Sequence, residues 1–138
     1  MLILLNILKE MATALTSGIT ISVDCRFEQK LSNPSNRLFI FSYGIRIENK
    51  STQPIQLLSR YWKISDSNTK QREVKGKGVI GEQPIIEPGE TYSYRSSCDF
   101  NTDTGIMKGY YIMKNLETNE EFKVAIPEFV LMVPYRLN

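Results

Sequence analysis

A stretch of strict two-residue alternation is the feature that most restricts how this chain can fold. Between Gly18 and Phe27, the odd-numbered positions from Ile19 onward are apolar and the even-numbered positions from Thr20 onward are polar. Successive side chains of a β-strand point to opposite faces, so the pattern predicts a strand with one buried side. A single half-buried strand is not stable alone. The chain must therefore supply more strands and a second layer to cover the apolar face.

Similar short segments follow along the rest of the chain. The predicted strands cover residues 18–27, 37–49, 55–65, 72–75, 91–96, 105–116, 121–126 and 129–133. Leu57 and Leu58 shift the phase of the alternation, which predicts a β-bulge. Residues 87–90 contain a Pro-Gly pair typical of a type II turn, residues 117–120 close a predicted hairpin, and Pro127 is expected to interrupt the last strand region.

Seven or eight short strands with no helix after Met11 favour an all-β fold. We predict an antiparallel immunoglobulin-like or fibronectin type III-like β-sandwich, with a closed barrel as the competing architecture. A length of 138 residues suits one domain. We place this domain at residues 15–138 and treat residues 1–14 as an N-terminal extension.

The first eight residues form an apolar run that is too short to cross a membrane as a helix, which needs about 20 residues. The run also lacks the basic start and small-residue cleavage site of a secretory signal. We interpret it as a helical turn packed on the domain, or as an upstream start before Met11. We therefore expect no membrane partner, a cytoplasmic location, and reduced thiols at Cys25 and Cys98.

Composition removes the common catalytic systems. The chain has no histidine, which excludes Ser-His-Asp and Cys-His nucleophiles and histidine-bound zinc, and its two cysteines cannot build a Cys₄ site. A net charge of +2 is too weak to predict a nucleic-acid partner. No paired carboxylates can be located for acid–base catalysis. We therefore predict a protein that is not an enzyme, with no catalytic residues and no cofactor.

A short acidic and polar loop is the best candidate for a hard cation. Residues 99–104 contain two Asp, one Asn and two Thr, which offer oxygen ligands. The same residue types are common in turns because their side chains bond to nearby backbone groups. We assign no metal ligands here.

A glycine motif is the most specific chemical signal in the chain. Gly76, Gly78 and Gly81 have the spacing of a dinucleotide-binding fingerprint. That fingerprint needs a helix directly after it, whereas Pro84 and Pro88 follow here and disfavour one. Two interpretations stay open. The glycines either bend the chain between strands, or form a backbone nest for phosphate with help from Lys75 and Lys77.

The weak candidate site for an anion therefore comprises Gly76, Lys77, Gly78 and Gly81. A second weak candidate is the adjacent pair Tyr110 and Tyr111. Neighbouring residues of a strand face opposite sides, so one of these rings should leave the core and offer a surface to a protein partner. A nearby edge strand could also pair with a second copy of the chain.

Several segments together resemble the ApaG family. They are residues 60–64, 76–90, 94–96, 104–113 and 122–129. The resemblance runs from about Leu15 to the C-terminus, with Tyr61 standing where many family members have histidine. It implies a fibronectin type III-like β-sandwich and an association with bacterial cobalt resistance and magnesium efflux. Related domains in eukaryotic F-box proteins, and in a partner of a DNA polymerase, imply a protein-interaction module.

Three functional hypotheses follow. The leading one is a non-enzymatic domain that binds an unidentified protein partner. The alternative is binding of phosphate or a nucleotide pyrophosphate by the glycine-rich loop, which the family resemblance also suggests. The second alternative is direct binding of a divalent metal.

Overall fold

The computed structural model describes residues 12–68 and 70–134 of the chain. Nine strands make up nearly all of its regular structure. They are β1 (Ala12–Thr16), β2 (Ile19–Phe27), β3 (Phe39–Asn49), β4 (Ile55–Asp66), β5 (Gln71–Lys77), β6 (Ile85–Ile86), β7 (Thr91–Phe100), β8 (Thr104–Asn115) and β9 (Glu121–Met132). None of the described residues belongs to a helix long and apolar enough to cross a membrane. The segment before Met11, predicted as a helical turn or upstream start, lies outside this range.

The strands form two antiparallel sheets that pack face to face, which confirms the predicted β-sandwich. The first sheet has the order β1-β2-β3-β7, and the second has the order β5-β4-β8-β9. The two-residue strand β6 also pairs with β4, at the opposite end of β4 from most of β5. The core lies between the sheets.

The alternation seen in the sequence sets the register of the central strands. Ile21 lies opposite Ile47 and Val23 lies opposite Ile45, all with buried side chains. Their shared face packs against the second sheet. Burial of such apolar side chains contributes about 1.5–3 kcal/mol each, so these strands supply much of the driving force for folding.

Strand β1 was not predicted, because its pattern is weak and changes phase. Its side chains are small up to Ala14, and then Leu15 is 69% exposed while Thr16 faces the core side. The strand nevertheless pairs with β2 from Ala12 onward. The first sheet therefore includes residues 12–14, which the sequence analysis placed in the N-terminal extension.

Two irregularities in the second sheet correspond to sequence signals. The register between β4 and β8 shifts between Leu57 and Ser59, which confirms the predicted β-bulge. The interruption expected at Pro127 is wrong, since β9 continues through it. There the register against β8 shifts by one residue, so the proline sits in a bulge of an edge strand, where its missing N–H is tolerated.

Candidate functional site

The two open sides of the sandwich differ in how they are closed. On one side β1 and β2 contact β9: the Ala125 N–H donates to Thr16 Oγ1 at 3.4 Å, and the Cys25 thiol donates to the Val130 carbonyl at 3.5 Å. On the other side the edges of β5 and β7 stay apart. The space between them forms a concave surface, which we call the edge cleft.

Two contacts tie the sheets together at the ends of the edge cleft. At one end the Arg72 guanidinium donates to the Asp99 carbonyl, lies 3.5 Å from its carboxylate, and lies 3.1 Å from Cys98 Sγ. At the other end the Tyr92 hydroxyl donates to a Glu82 carboxylate oxygen at 3.0 Å. The sheets are thus held at both ends, and the cleft opens between these contacts.

Aromatic rings form the floor of the edge cleft. Tyr43 and Trp62 pack edge to face, with ring centres 5.4 Å apart, and both contact Phe129 at 5.9 Å. The widest section has a volume of about 550 Å³, which is within the range of sites that bind small ligands or peptide side chains. Its floor is rigid because these rings belong to the core.

Three tyrosine hydroxyls lie around the cleft. Tyr94 and Tyr111 share a hydrogen bond, and Tyr43 lies opposite Ser96 in the pairing of β3 with β7. Burial raises the pKa of Tyr43, Tyr94 and Tyr111 above the usual value, although the nearby Arg60 charge opposes this. These hydroxyls stay neutral at physiological pH, which suits hydrogen bonding rather than nucleophilic attack.

Arg60 is the one cation in the widest section that has no carboxylate partner. Its Nη1 donates to the carbonyls of Lys77 at 3.2 Å and Gly78 at 2.8 Å. Within residues 12–68 and 70–134, no carboxylate lies within ion-pair distance of Arg60, whereas Arg72 and Arg95 each have one. The guanidinium therefore brings an unneutralised charge to an aromatic cleft.

The backbone of β7 is available along the cleft. The Glu90 carbonyl, just before β7, accepts the Asn49 N–H of β3, whereas the Asp99 carbonyl accepts the Arg72 side chain instead. Backbone groups of an antiparallel strand alternate in direction, and the register from Thr91 to Phe100 is continuous. The N–H and C=O groups of residues 93, 95 and 97 consequently face away from β3.

The predicted glycine motif borders this cleft. Gly76 lies in β5, where a Cβ atom would come within 2.8 Å of the Arg60 guanidinium, and a Cβ at Gly78 would come within 2.1 Å of the Glu82 carbonyl oxygen. Val79 and Glu82 exchange two backbone hydrogen bonds around Ile80 and Gly81. These close approaches explain on structural grounds why glycine occupies positions 76 and 78.

The turn between Val79 and Glu82 is of type I′, because both central residues have positive φ: 47° at Ile80 and 74° at Gly81. The N–H groups of Gly78, Val79 and Glu82 are all used inside the protein. The helix of a dinucleotide fingerprint does not follow, since the short strand β6 does. Phosphate binding by Gly76, Lys77, Gly78 and Gly81 stays a prediction.

The two candidate tyrosines, Tyr110 and Tyr111, lie on opposite faces of β8, as strand geometry requires. Tyr111 is fully buried and Tyr110 is not, so Tyr110 is the one of the pair whose ring leaves the core. Tyr110 lies on the outer face of the second sheet and stacks on Tyr61 at 4.9 Å, with Lys123 Nζ 4.5 Å from its ring centre and Lys75 Nζ 5.6 Å from that of Tyr61. Tyr110 remains a candidate surface residue.

The polar loop at residues 99–104 is held by internal bonds. Thr102 Oγ1 donates to the Thr104 carbonyl and accepts the Ser67 N–H, and the Asp99 carboxylate pairs with Arg72. Among the residues that the structure describes, no three Asp, Glu, Cys or His side chains are grouped to hold a metal ion. Both cysteines are free, as expected.

The sequence analysis missed the edge cleft, although one signal for it was present. Arg60 has the same phase as Trp62 and Ile64, so a charged residue stands on the buried face of β4. An inward arginine needs either a partner or an opening to solvent. That argument alone could have singled out Arg60.

Comparisons with known proteins agree on one family. A profile described as the ApaG domain matches residues 29–115. Protein ApaG of Brucella canis is 41% identical over 124 residues, which are 90% of this chain and 95% of that protein. Protein ApaG of Mesorhizobium japonicum is 42% identical over the same length and the same shares of the two chains. The crystal structure of an ApaA protein from Bordetella pertussis superposes with a TM-score of 0.82 at 38% identity, covering 91% of this chain and 98% of that one.

Proposed function

The chain belongs to the ApaG domain family, and from that premise we propose that it is a non-enzymatic module that binds a partner protein through the edge cleft. One observation carries this proposal. No strand of the described residues pairs with the outer edge of β7, and this edge runs along a cleft with a rigid aromatic floor at Tyr43 and Trp62. An extended segment of a partner can use both features at once.

Strand addition is the binding mode that this geometry fits. An extended peptide gains affinity from backbone hydrogen bonds to an open sheet edge, and specificity from pockets for alternate side chains. Residues 93, 95 and 97 offer the backbone groups, and the cleft beside them offers the pocket. The end contacts at Tyr92 and Asp99 lie about 24 Å apart along β7 at ~3.4 Å per residue, so a segment of roughly six residues fits between them.

Exposed strand edges are usually covered, because they promote aggregation. Here β1 and β9 lie against each other, whereas the contacts of Arg72 and Tyr92, near the ends of β7, are those that link its open edge to the second sheet within residues 12–68 and 70–134. An open edge beside a cleft is costly to keep unless it is used. A second copy of this chain is the competing occupant.

The setting of this module belongs to the same proposal. Free thiols at Cys25 and Cys98 are compatible with a reducing, cytoplasmic compartment. The family resemblance implies an association with cobalt and magnesium. We propose that this effect is indirect, exerted through the partner protein, and that the module itself holds no metal.

A peptide selection tests the proposed function. A displayed library of random nine-residue peptides is panned against the full chain, and enriched peptides are titrated into the ¹⁵N-labelled protein. We expect saturable binding that slows amide exchange at Ser93, Arg95 and Ser97. Recovery of no binding peptide, or protection confined to other surfaces, would contradict the proposal. A dimer in sedimentation experiments with the same amides protected would instead favour self-association.

A further inference from the structure

The arginine in the middle of the edge cleft is the strongest chemical feature that strand addition leaves unused. Arg60 lines both the widest section of the cleft and the neighbouring section that runs toward Cys98. Nη1 is bonded to two carbonyls, and the side chain is half-buried. A guanidinium has five N–H donors, so donors remain for a ligand.

The arrangement of charges around Arg60 increases its attraction for an anion. The other two arginines of the cleft, Arg95 and Arg72, are neutralised by Asp24 at 2.9 Å and by Asp99 at 3.5 Å. None of the residues lining the widest section carries a carboxylate. Aromatic walls lower the local dielectric constant, so an anion placed there interacts with Arg60 more strongly than it would in water.

We infer that the edge cleft selects acidic segments, in which the carboxylate of an Asp or Glu side chain pairs with Arg60 while the backbone adds to β7. This inference rests on the proposed function. Arginine binds a planar carboxylate with two parallel hydrogen bonds, which adds geometric specificity to the charge. The partner's acidic side chain supplies the carboxylate that the widest section of the cleft lacks.

The position of Arg60 favours a side-chain carboxylate over a chain terminus. The guanidinium lies between two sections of the cleft, with volumes of about 550 Å³ and 230 Å³. A C-terminal carboxylate on Arg60 would end the segment there and leave one section empty. A side chain from the middle of a segment lets the backbone continue into both.

A charge-removal cycle tests the inference. In a peptide that binds the cleft, the acidic residue is replaced by its amide, Glu→Gln or Asp→Asn, and binding is measured by calorimetry against the wild-type chain and against Arg60→Gln. We expect the amide peptide to bind wild type roughly tenfold or more weakly. We expect Arg60→Gln to bind both peptides with similar weak affinity, because the ion pair is already absent.

Arg46→Gln is the matched control. It removes the same charge from the outer face of the first sheet, where Arg46 pairs with Glu48, and it should preserve the preference for the acidic peptide. The peptide substitution remains informative even if loss of Arg60 disturbs the carbonyls of Lys77 and Gly78.

Three outcomes separate the inference from the proposed function. Cleft-binding peptides without enriched Asp or Glu, or equal affinity for the acidic and amide peptides, would overturn the inference and leave the proposed function standing. Peptides whose only essential acid is the C-terminal carboxylate, as shown by loss of binding on C-terminal amidation, would also overturn it. Failure to obtain any cleft-binding peptide would overturn both.

Discussion

Ile80 occupies a backbone conformation that its side chain disfavours. It is a β-branched residue with φ of 47° at the tip of the type I′ turn, and it is 60% exposed. A left-handed conformation costs an ordinary residue about 1–2 kcal/mol, and Asn less, because its short polar side chain can bond locally. Little buried contact offsets this cost. Strain of this kind is frequently retained beside functional surfaces, and Ile80 lines the edge cleft.

Relief of this strain should stabilise the protein. We expect Ile80→Asn to increase the free energy of unfolding by about 1 kcal/mol in urea titrations. Ile85→Asn is the control: Ile85 is 54% exposed, lies in β6 and has no positive φ, so its replacement should give no gain. A loss at Ile80 would mean that packing of its side chain outweighs the backbone strain.

Two strand glycines should differ sharply when replaced by alanine. A Cβ at Gly109 would lie 1.9 Å from the Tyr61 carbonyl oxygen, whereas a Cβ at Gly44 would meet the ends of the Arg95 and Asp24 side chains, at 2.6 and 2.9 Å. Backbone cannot move aside, but flexible side chains can. We expect Gly109→Ala to cost about 3 kcal/mol or more, and Gly44→Ala about 1 kcal/mol or less, by urea denaturation. Equal losses would contradict this explanation.

The buried tyrosines should make stability fall in alkali. Burial raises the pKa of Tyr94 and of Tyr111 well above the usual value near 10. Above pH 10 the unfolded chain releases these protons while the folded chain retains them, so the stabilisation present below pH 10 is lost as pH rises. Each such group contributes about 1.4 kcal/mol per pH unit to the slope.

Urea midpoints measured between pH 9 and pH 11 check this slope. Tyr94→Phe should give a shallower decrease of the unfolding free energy with pH than wild type, because one titrating group is gone. Ile85→Asn removes no titrating group and should leave the slope unchanged. The same slope in Tyr94→Phe and wild type would refute the assignment.

At the scale of elements, backbone groups of β7 that bond to β3 alternate along the strand with backbone groups that face the edge cleft. The N–H of Ser96 faces β3, where Ser96 lies opposite Tyr43, and the N–H of Ser97 faces the edge cleft. A proline at position 96 leaves a partner group in β3 unbonded, but a proline at position 97 removes only an edge donor. The two neighbouring serines therefore provide a matched pair.

We expect Ser96→Pro to lower the free energy of unfolding by about 1–3 kcal/mol more than Ser97→Pro does. We also expect Ser97→Pro to reduce the affinity for peptides that add to β7, while the protein remains folded by circular dichroism. If Ser97→Pro binds such peptides as well as wild type does, strand addition at this edge is ruled out.

The glycine loop is a second element whose two interpretations can be separated. Its turn uses the N–H groups of Gly78, Val79 and Glu82 internally, which favours the structural interpretation. We expect the amide signals of Gly76, Gly78 and Gly81 to stay unchanged when pyrophosphate, ATP or Mg²⁺ is added to the ¹⁵N-labelled protein. Saturable shifts at these amides would support an anion site instead.

At the scale of the whole molecule, the sandwich is closed on one side and open on the other. The edges of β1 and β9 cover each other, while in the part of the chain that the structure describes the opposite side is joined near Arg72 and Tyr92. This asymmetry produces one cleft. It also places the cleft next to the glycine motif and Arg60, so three of the segments that carry the family resemblance, residues 60–64, 76–90 and 94–96, meet there.

Local patterns in the sequence were sufficient for the strands and several turns. Alternation identified β2 and the faces of β3, and the double leucine identified the bulge in β4. The turn at residues 87–90 follows from Pro-Gly, and Gly89 indeed has φ of 83°. Such features depend on neighbours within a few residues. Strand β1 and the course of β9 through Pro127 were missed because their pairing partners decide them.

The sequence by itself therefore determined the fold class, the core faces of the main strands and the family. Only the tertiary structure decided which edges stay open. The cleft joins Tyr43 of β3, Arg60 of β4 and Tyr94 of β7, residues far apart along the chain. Their meeting depends on β7 pairing with β3 and on the two sheets packing face to face. Burial of apolar side chains in the core drives that arrangement. The same arrangement leaves Arg60 without a carboxylate partner among the described residues.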